Sequence, residues 1–262
     1  YTSRPDQIAE SSPHAHWAED VLDDRIWDPS GHAVGIKAPA GSIYRTDPDG
    51  REFVLYAGGL RNPYDLAFNA DGELFTYDAD MEYDMGLPWY REPTVYHVVS
   101  GGEYGWRGGT GKWDQGLPDS AGFVCRTDAS SPTGIIFGHE TNFPEPWRSS
   151  LFLGDWAWGR ILAVNMEPDG ATYTGEWTEF ARGTPLNVTD IAISGDGSMF
   201  VITGGRRTQT GLYRIDYVGD EQPGAVDSNP EPEAIMLRRK LEQAHGNPSD
   251  QGLLLAMEHL GS

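Results

Sequence analysis

The chain is most informative first in what it lacks. It has a single cysteine, Cys125, so it can form no internal disulfide and carries no cysteine-based zinc or haem-attachment motif; Cys125 reads as a small core residue. It is poor in positive charge, with 19 lysines and arginines against 40 aspartates and glutamates and a formal charge of −21 over 262 residues. That balance argues against nucleic acid and anionic membrane surfaces as partners, both of which select basic faces. No apolar run approaches the roughly 20 residues of a membrane-spanning helix, and no charged-then-apolar leader stands at the start.

What is present is β-type patterning punctuated by Gly, Asp and Asn. Residues 1–40 are polar and irregular, with His14, His16 and His32 lacking the register of a metal site. From Gly41 a strand pattern begins, and Ser42–Thr46 and Glu52–Tyr56 flank an Asp-Gly turn. Asp65–Phe68 and Glu73–Thr76 flank a second one at Asn69-Ala70-Asp71-Gly72. Such turns are cheap where Gly takes positive φ, and both read as hairpins.

The unit recurs. Asn62-Pro63-Tyr64-Asp65-Leu66-Ala67-Phe68 aligns with Ser131–Phe137 and with Asn187–Ile193. Each is followed by a second strand, at Leu74-Phe75-Thr76, Leu151-Phe152-Leu153 and Met199-Phe200-Val201, and then by outer strands. Repetition over tens of residues, about four strands at a time, is the signature of propeller blades. The expected fold is therefore all-β: residues 41–219 form three to four blades of a β-propeller, the later part of a larger ring. Residues 220–229 read as a linker and 230–262 as a helical pair. Asn229 and Pro230 start its first helix, which carries Ala234, Leu237, Leu241 and Ala244, and Leu253, Met257 and Leu260 lie on the second.

Several side chains carry chemistry. Asp78, Asp80, Glu82 and Asp84 alternate directly after a strand and have the oxygen chemistry calcium selects, without the glycine and final glutamate of an EF-hand; a solvated acidic loop is the alternative. Arg61 and Asn62 head an innermost strand, the place from which a propeller faces its funnel, unless the arginine merely bonds the turn's carbonyls. Arg206 and Arg207 offer two cations to an anionic ligand, against an ordinary solvated role. Trp156 and Trp158 provide flat faces for a sugar or ring cofactor, with packing between blades the preferred reading. His97 and His139 have no evident partner, and no nucleophile triad can be assembled.

These residues carry a resemblance. GLRNPYDLAFNADGELFTYD, Gly101-Gly102-Glu103-Tyr104-Gly105-Trp106 and the segment from Ser131 through Phe143-Pro144 to Gly154 resemble motifs of the pyrroloquinoline-quinone (PQQ)-dependent sugar dehydrogenases, which are six-bladed propellers of the soluble glucose dehydrogenase type. DADMEYDMGLPWYREP and ITGGRRTQTGLYR look like the membrane-bound dehydrogenase and haem-binding proteins of planctomycete-type bacteria, where the propeller precedes HEAT-like helical repeats and a c-type cytochrome domain. The resemblance implies a periplasmic or extracellular oxidoreductase that takes a sugar or alcohol and uses PQQ and calcium. It implies that Arg61, Asn62, Arg206, Arg207 and Trp156 lie at the quinone, and that Asp78, Asp80, Glu82 and Asp84 lie at the calcium. The family's base histidine has no counterpart in Tyr1–Leu60, and Trp156 and Trp158 stand where its lysine follows the second strand, so no catalytic residue is assigned. A non-catalytic propeller that binds carbohydrate or protein, and a calcium-dependent lactonase-like hydrolase, are the other readings.

Overall fold

The computed structural model describes residues 8–13, 35–36, 38–79, 91–107, 111–112, 120–221, 223–224, 232–245 and 249–260. Strands β1 (Gly41–Thr46) and β2 (Phe53–Leu60) form an antiparallel hairpin. Strands β3 (Leu66–Phe68), β4 (Leu74–Asp78) and β5 (Thr94–Val98) follow, then a short hairpin of β6 (Trp106–Arg107) with β7 (Gly111–Lys112), and β8 (Cys125–Arg126). The order β3-β4-β5-β8 makes one four-stranded sheet. A second runs β9 (Pro132–Phe137), β10 (Leu151–Asp155), β11 (Arg160–Asp169) and β12 (Thr172–Arg182), and a third has β13 (Val188–Ile193), β14 (Met199–Thr203) and β15 (Gly211–Ile215). Each sheet is an antiparallel meander. The first strand of the middle sheet, β9, touches both β3 and β13, so the first strands are innermost and the sheets are blades of a partial propeller.

The expected turns form for identifiable reasons. Gly50 and Gly72 take positive φ. In the first turn the Asp47 carboxylate accepts from the amides of Arg51 and Glu52; in the second, the Asn69 amide oxygen accepts from those of Asp71 and Glu73. A short polar side chain thus replaces the missing ladder bonds at each bend.

The second strands of the two four-stranded sheets, β4 and β10, are buried along their whole length, because each lies between neighbouring sheets. On β10, Leu151 and Leu153 join Ala67, Phe75, Tyr77 and Val95 of the preceding blade. Phe152, from the opposite face of the same strand, joins Val188, Ile191, Met199 and Val201 of the following one. Continuous apolar runs instead of alternation are what two-sided burial demands. At the two ends of the array the pattern breaks off: Leu66 and Phe68 on β3, and the cross-strand pair Ile202 and Leu212, are exposed. These are the faces that a closed ring covers with a further blade.

Helices α1 (Glu233–Glu242) and α2 (Asp250–Glu258) complete the described chain. The first begins at Glu233; the expected cap at Asn229 and Pro230 falls outside the described residues. The residue it buries is Ile235, and Leu237 and Leu241 of the expected face are only half-buried. Ser249 caps α2 by accepting from the amide of Gly252, while Leu253, Met257 and Leu260 are exposed.

Candidate functional site

The innermost strands begin, and the second strands end, on one side of the propeller, here its upper face. Neighbouring strand heads are tied to one another there: the Thr133 hydroxyl donates to the carbonyl of Val188 at 2.9 Å, and the amide of Ile135 to the Asp65 carboxylate at 2.9 Å. Where the sheets come this close no side chain fits, and a Cβ on Gly134 would lie 2.8 Å from Cα of Asp190.

Arg61 and Asn62 stand on this face at the head of β3. Arg61 is buried and donates to the Asn62 side-chain oxygen at 3.2 Å, while the Asn62 side chain is exposed. Both of their backbone amides point at Asp78, the Arg61 amide to Oδ2 and the Asn62 amide to Oδ1, each at 2.8 Å. Asp78 therefore differs from the expectation of a loop carboxylate beside an ion: it is the last residue of β4, fully buried, and anchors the turn. Asp80, Glu82 and Asp84, the other expected calcium ligands, lie outside the described residues, as do His14, His16 and His32. Among the described residues no group of three or more His, Cys, Asp or Glu side chains could hold a metal ion.

Trp156 and Arg206 are brought together, as a shared site requires. The Arg206 guanidinium lies over the Trp156 ring, 5.3 Å from its centroid. The indole Nε1 donates to the carbonyl of Gly204 at 2.6 Å, and the Asn187 amide donates to the carbonyl of Trp156 at 2.7 Å. The indole is thus fixed between the heads of two blades. Gly204, Gly205, Arg206 and Arg207 all take positive φ, Arg206 at 46° and Arg207 at 70°. Two consecutive non-glycine residues in the left-handed region are strained, and both arginines are exposed. Trp158 is not packed between blades; it is 57% exposed, with its indole donating to the carbonyl of Ala129.

Asp155 repeats the role of Asp78 one blade on. It ends β10, is fully buried, and accepts at Oδ1 from the amides of Ser131 (2.9 Å) and Ala157 (3.0 Å). Its Oδ2 accepts from Arg160 Nε at 2.7 Å, and Arg160 also pairs with Asp128. Burial opposes the charge on Arg160, but the hydrogen bonds of Asp128 and Asp155 outweigh it and hold the guanidinium above its ordinary pKa. The sequence signal for this pair of anchors is plain once seen: LFTYD and LFLGD end on the same residue type at the same blade position.

Two described histidines, His97 and His139, do not serve this face. His97 has partners the sequence does not reveal: Nε2 meets Oε2 of Glu73 at 2.7 Å and Nδ1 meets the Thr172 hydroxyl at 3.0 Å. That network lies at the opposite, lower end of β4. His139 follows β9, also at the lower side, with Nδ1 buried and without a hydrogen-bond partner among the described residues. It lines one end of a groove of about 400 Å3 along the innermost strands, with Asp65, Leu66, Phe68 and Asp190.

Fold and upper face together define the class: a partial β-propeller with its polar and cationic groups at the strand heads. No family model and no curated protein matches the chain. Among solved structures it is similar to a glucose dehydrogenase (17% identical, TM-score 0.52, over 65% of this chain and 49% of that one). It is likewise similar to the PQQ-bound aldose sugar dehydrogenase of Streptomyces coelicolor (17%, TM-score 0.50, 66% and 51%). The chain thus spans about half the length of these proteins, and at such identity the likeness is one of fold.

Proposed function

We propose that this chain supplies the cofactor-binding side of a propeller oxidoreductase that uses PQQ to oxidise a sugar or other alcohol. The carrying observation is that the Arg61–Asn62 turn, at the head of β3, and the Trp156–Arg206 stack, just past the ends of β10 and β14, stand on the same face of the partial propeller. PQQ is a flat tricarboxylate. The donor set fits it in charge and shape: planar guanidinium forks suit carboxylates, an exposed amide both donates and accepts, and a fixed indole sets the plane of a flat neighbour. When bound, the quinone supplies a two-electron oxidant. The chain's own residues bind and orient it, Arg206 and Arg207 through charge and Asn62 through its amide. Calcium belongs to this reading through Asp80, Glu82 and Asp84. A c-type cytochrome acceptor and a periplasmic or extracellular location belong to it through the sequence resemblance.

A second reading, a propeller that binds without catalysing, is favoured by one observation: the described histidines are engaged or placed away from the upper face, which leaves no histidine base there among the described residues. Titration of the chain with PQQ, followed by quenching of tryptophan fluorescence, tests both. Saturable binding weakened at least about tenfold by Arg206→Ala, with aldose-dependent reduction of a dye, supports the oxidoreductase. Binding without dye reduction supports the second reading, and no binding removes the first.

A further inference from the structure

We infer that Asp78 is a positioning residue: its buried carboxylate fixes the direction in which Arg61 and Asn62 present their side chains to an anionic ligand at the upper face. The ligand half of this statement rests on the proposed function; the positioning half stands on geometry. Two consecutive backbone amides converge on one carboxylate, one per oxygen, each at 2.8 Å. Consecutive amides can point the same way only if the backbone bends between them, so the two bonds fix the bend, and with it the exit directions of both side chains. Pro63, next in the chain, removes the following amide and fixes its own φ.

The recurrence one blade on shows that the contact belongs to the fold's design. Asp155 occupies the same place at the end of a second strand and receives the amide of Ser131, which heads the next innermost strand. The third blade has Thr203 at this place, its hydroxyl 3.4 Å from the carbonyl of Gly211. There the strand head is secured through Asn187 and Trp156 of two adjacent blades instead. A carboxylate suits the first two positions because its oxygens are both acceptors. At Asp78 an amide of the same shape would turn a donor toward one of the two backbone amides, and at Asp155 toward either the backbone amides or the Arg160 guanidinium; donor facing donor in a buried site is costly.

The test is hydrogen exchange read at single amides. In Asp78→Asn the amides of Arg61 and Asn62 should lose protection by about a hundredfold or more relative to wild type, equally in calcium and in chelator, while the amide of Ser131 keeps its own. Asp155→Ala, which removes the acceptor of the Ser131 amide, should show the reverse. Retained protection of Arg61 and Asn62 in Asp78→Asn, or loss that calcium restores, overturns the inference. Should Asp78→Asn not fold, Asp78→Glu serves: it keeps the charge and displaces both acceptors, so unchanged exchange at these two amides counts against the inference equally. PQQ titration is the second arm. Asp78→Asn should weaken binding about tenfold or more at unchanged protection of the β10–β11 core, and undiminished affinity overturns the ligand half. Failure of the wild type itself to bind PQQ removes the proposed function, and the exchange result then decides the role of Asp78.

Discussion

Glu73 and Asp78 cap the two ends of one strand and face opposite ways in function. Asp78 holds the upper turn, whereas Glu73 is the hub of the lower side. Its Oε2 meets Nε2 of His97, and its Oε1 accepts from Arg238 at 2.5 Å and from Arg239 Nε at 2.8 Å, both on α1. Arg238 also donates to the carbonyl of Ala171 in the next blade's turn, and Arg239 to that of Asp71. With Ile235 buried in the core between these two blades, α1 clamps the pair from below.

This clamp makes acid stability a readout of Glu73. Burial disfavours its charge, but the His97 hydrogen bond and the charge of Arg238, with Arg239 adding a further bond, outweigh that and lower its pKa from 4.5 to about 2. A depressed folded pKa gives stability that is complete above the unfolded value and is lost as pH falls through the folded one. Urea midpoints of wild type and Glu73→Gln should therefore differ by a constant amount above pH 5 and converge toward pH 2. Glu73→Ala at pH 7 should cost roughly 3 kcal/mol, because two arginines lose their shared partner, and should expose α1 to proteolysis. A difference that stays constant down to pH 2 would exclude Glu73 as the origin.

Close approach at the blade heads makes Gly134 intolerant of any side chain. The Cβ of alanine would lie 2.8 Å from Cα of Asp190 and 3.1 Å from the amide nitrogen of Ile191, both backbone atoms with no room to yield. Gly134→Ala should lower stability by about 1–3 kcal/mol. Gly122→Ala, where nothing lies within 4 Å, should leave the melting temperature nearly unchanged. Equal melting temperatures for the two variants would contradict the packing described here.

Strain in the Gly204–Arg207 bend predicts a trade of stability against binding. Arg207 holds φ at 70°, a conformation glycine adopts without steric cost. Arg207→Gly should raise stability by up to about 1 kcal/mol and weaken PQQ binding through loss of a cation. Thermal melts and the fluorescence titration check the two halves separately.

The one thiol reports on whether the outer edge of the β3-β4-β5-β8 blade is closed. Cys125 is buried between blades, and burial pushes its pKa up to about 12. At pH 8 the folded chain should therefore be inert to a disulfide reagent and react with one equivalent in denaturant. Rapid labelling of the native chain would show that the β5–β8 edge opens.

What the sequence determined by itself was local and repetitive. The Asp-Gly and Asn-x-x-Gly bends are written in residues three to five apart, since positive φ and side-chain-to-amide bonds act over that range. The recurrence of strand heads at Asn62, Ser131 and Asn187 gave the blade, because equivalent packing between blades needs equivalent patterns. The roles of Asp78, Asp155, Glu73 and His97 were decided by tertiary structure. Each is set by a partner across a sheet or from a distant helix: the amides of Arg61 and Asn62 for Asp78, and Arg238 and Arg239 for Glu73. A carboxylate reads the same in a sequence whether it will meet water, a cation or a backbone amide. Only the folded chain, by burying it and supplying donors, assigns which.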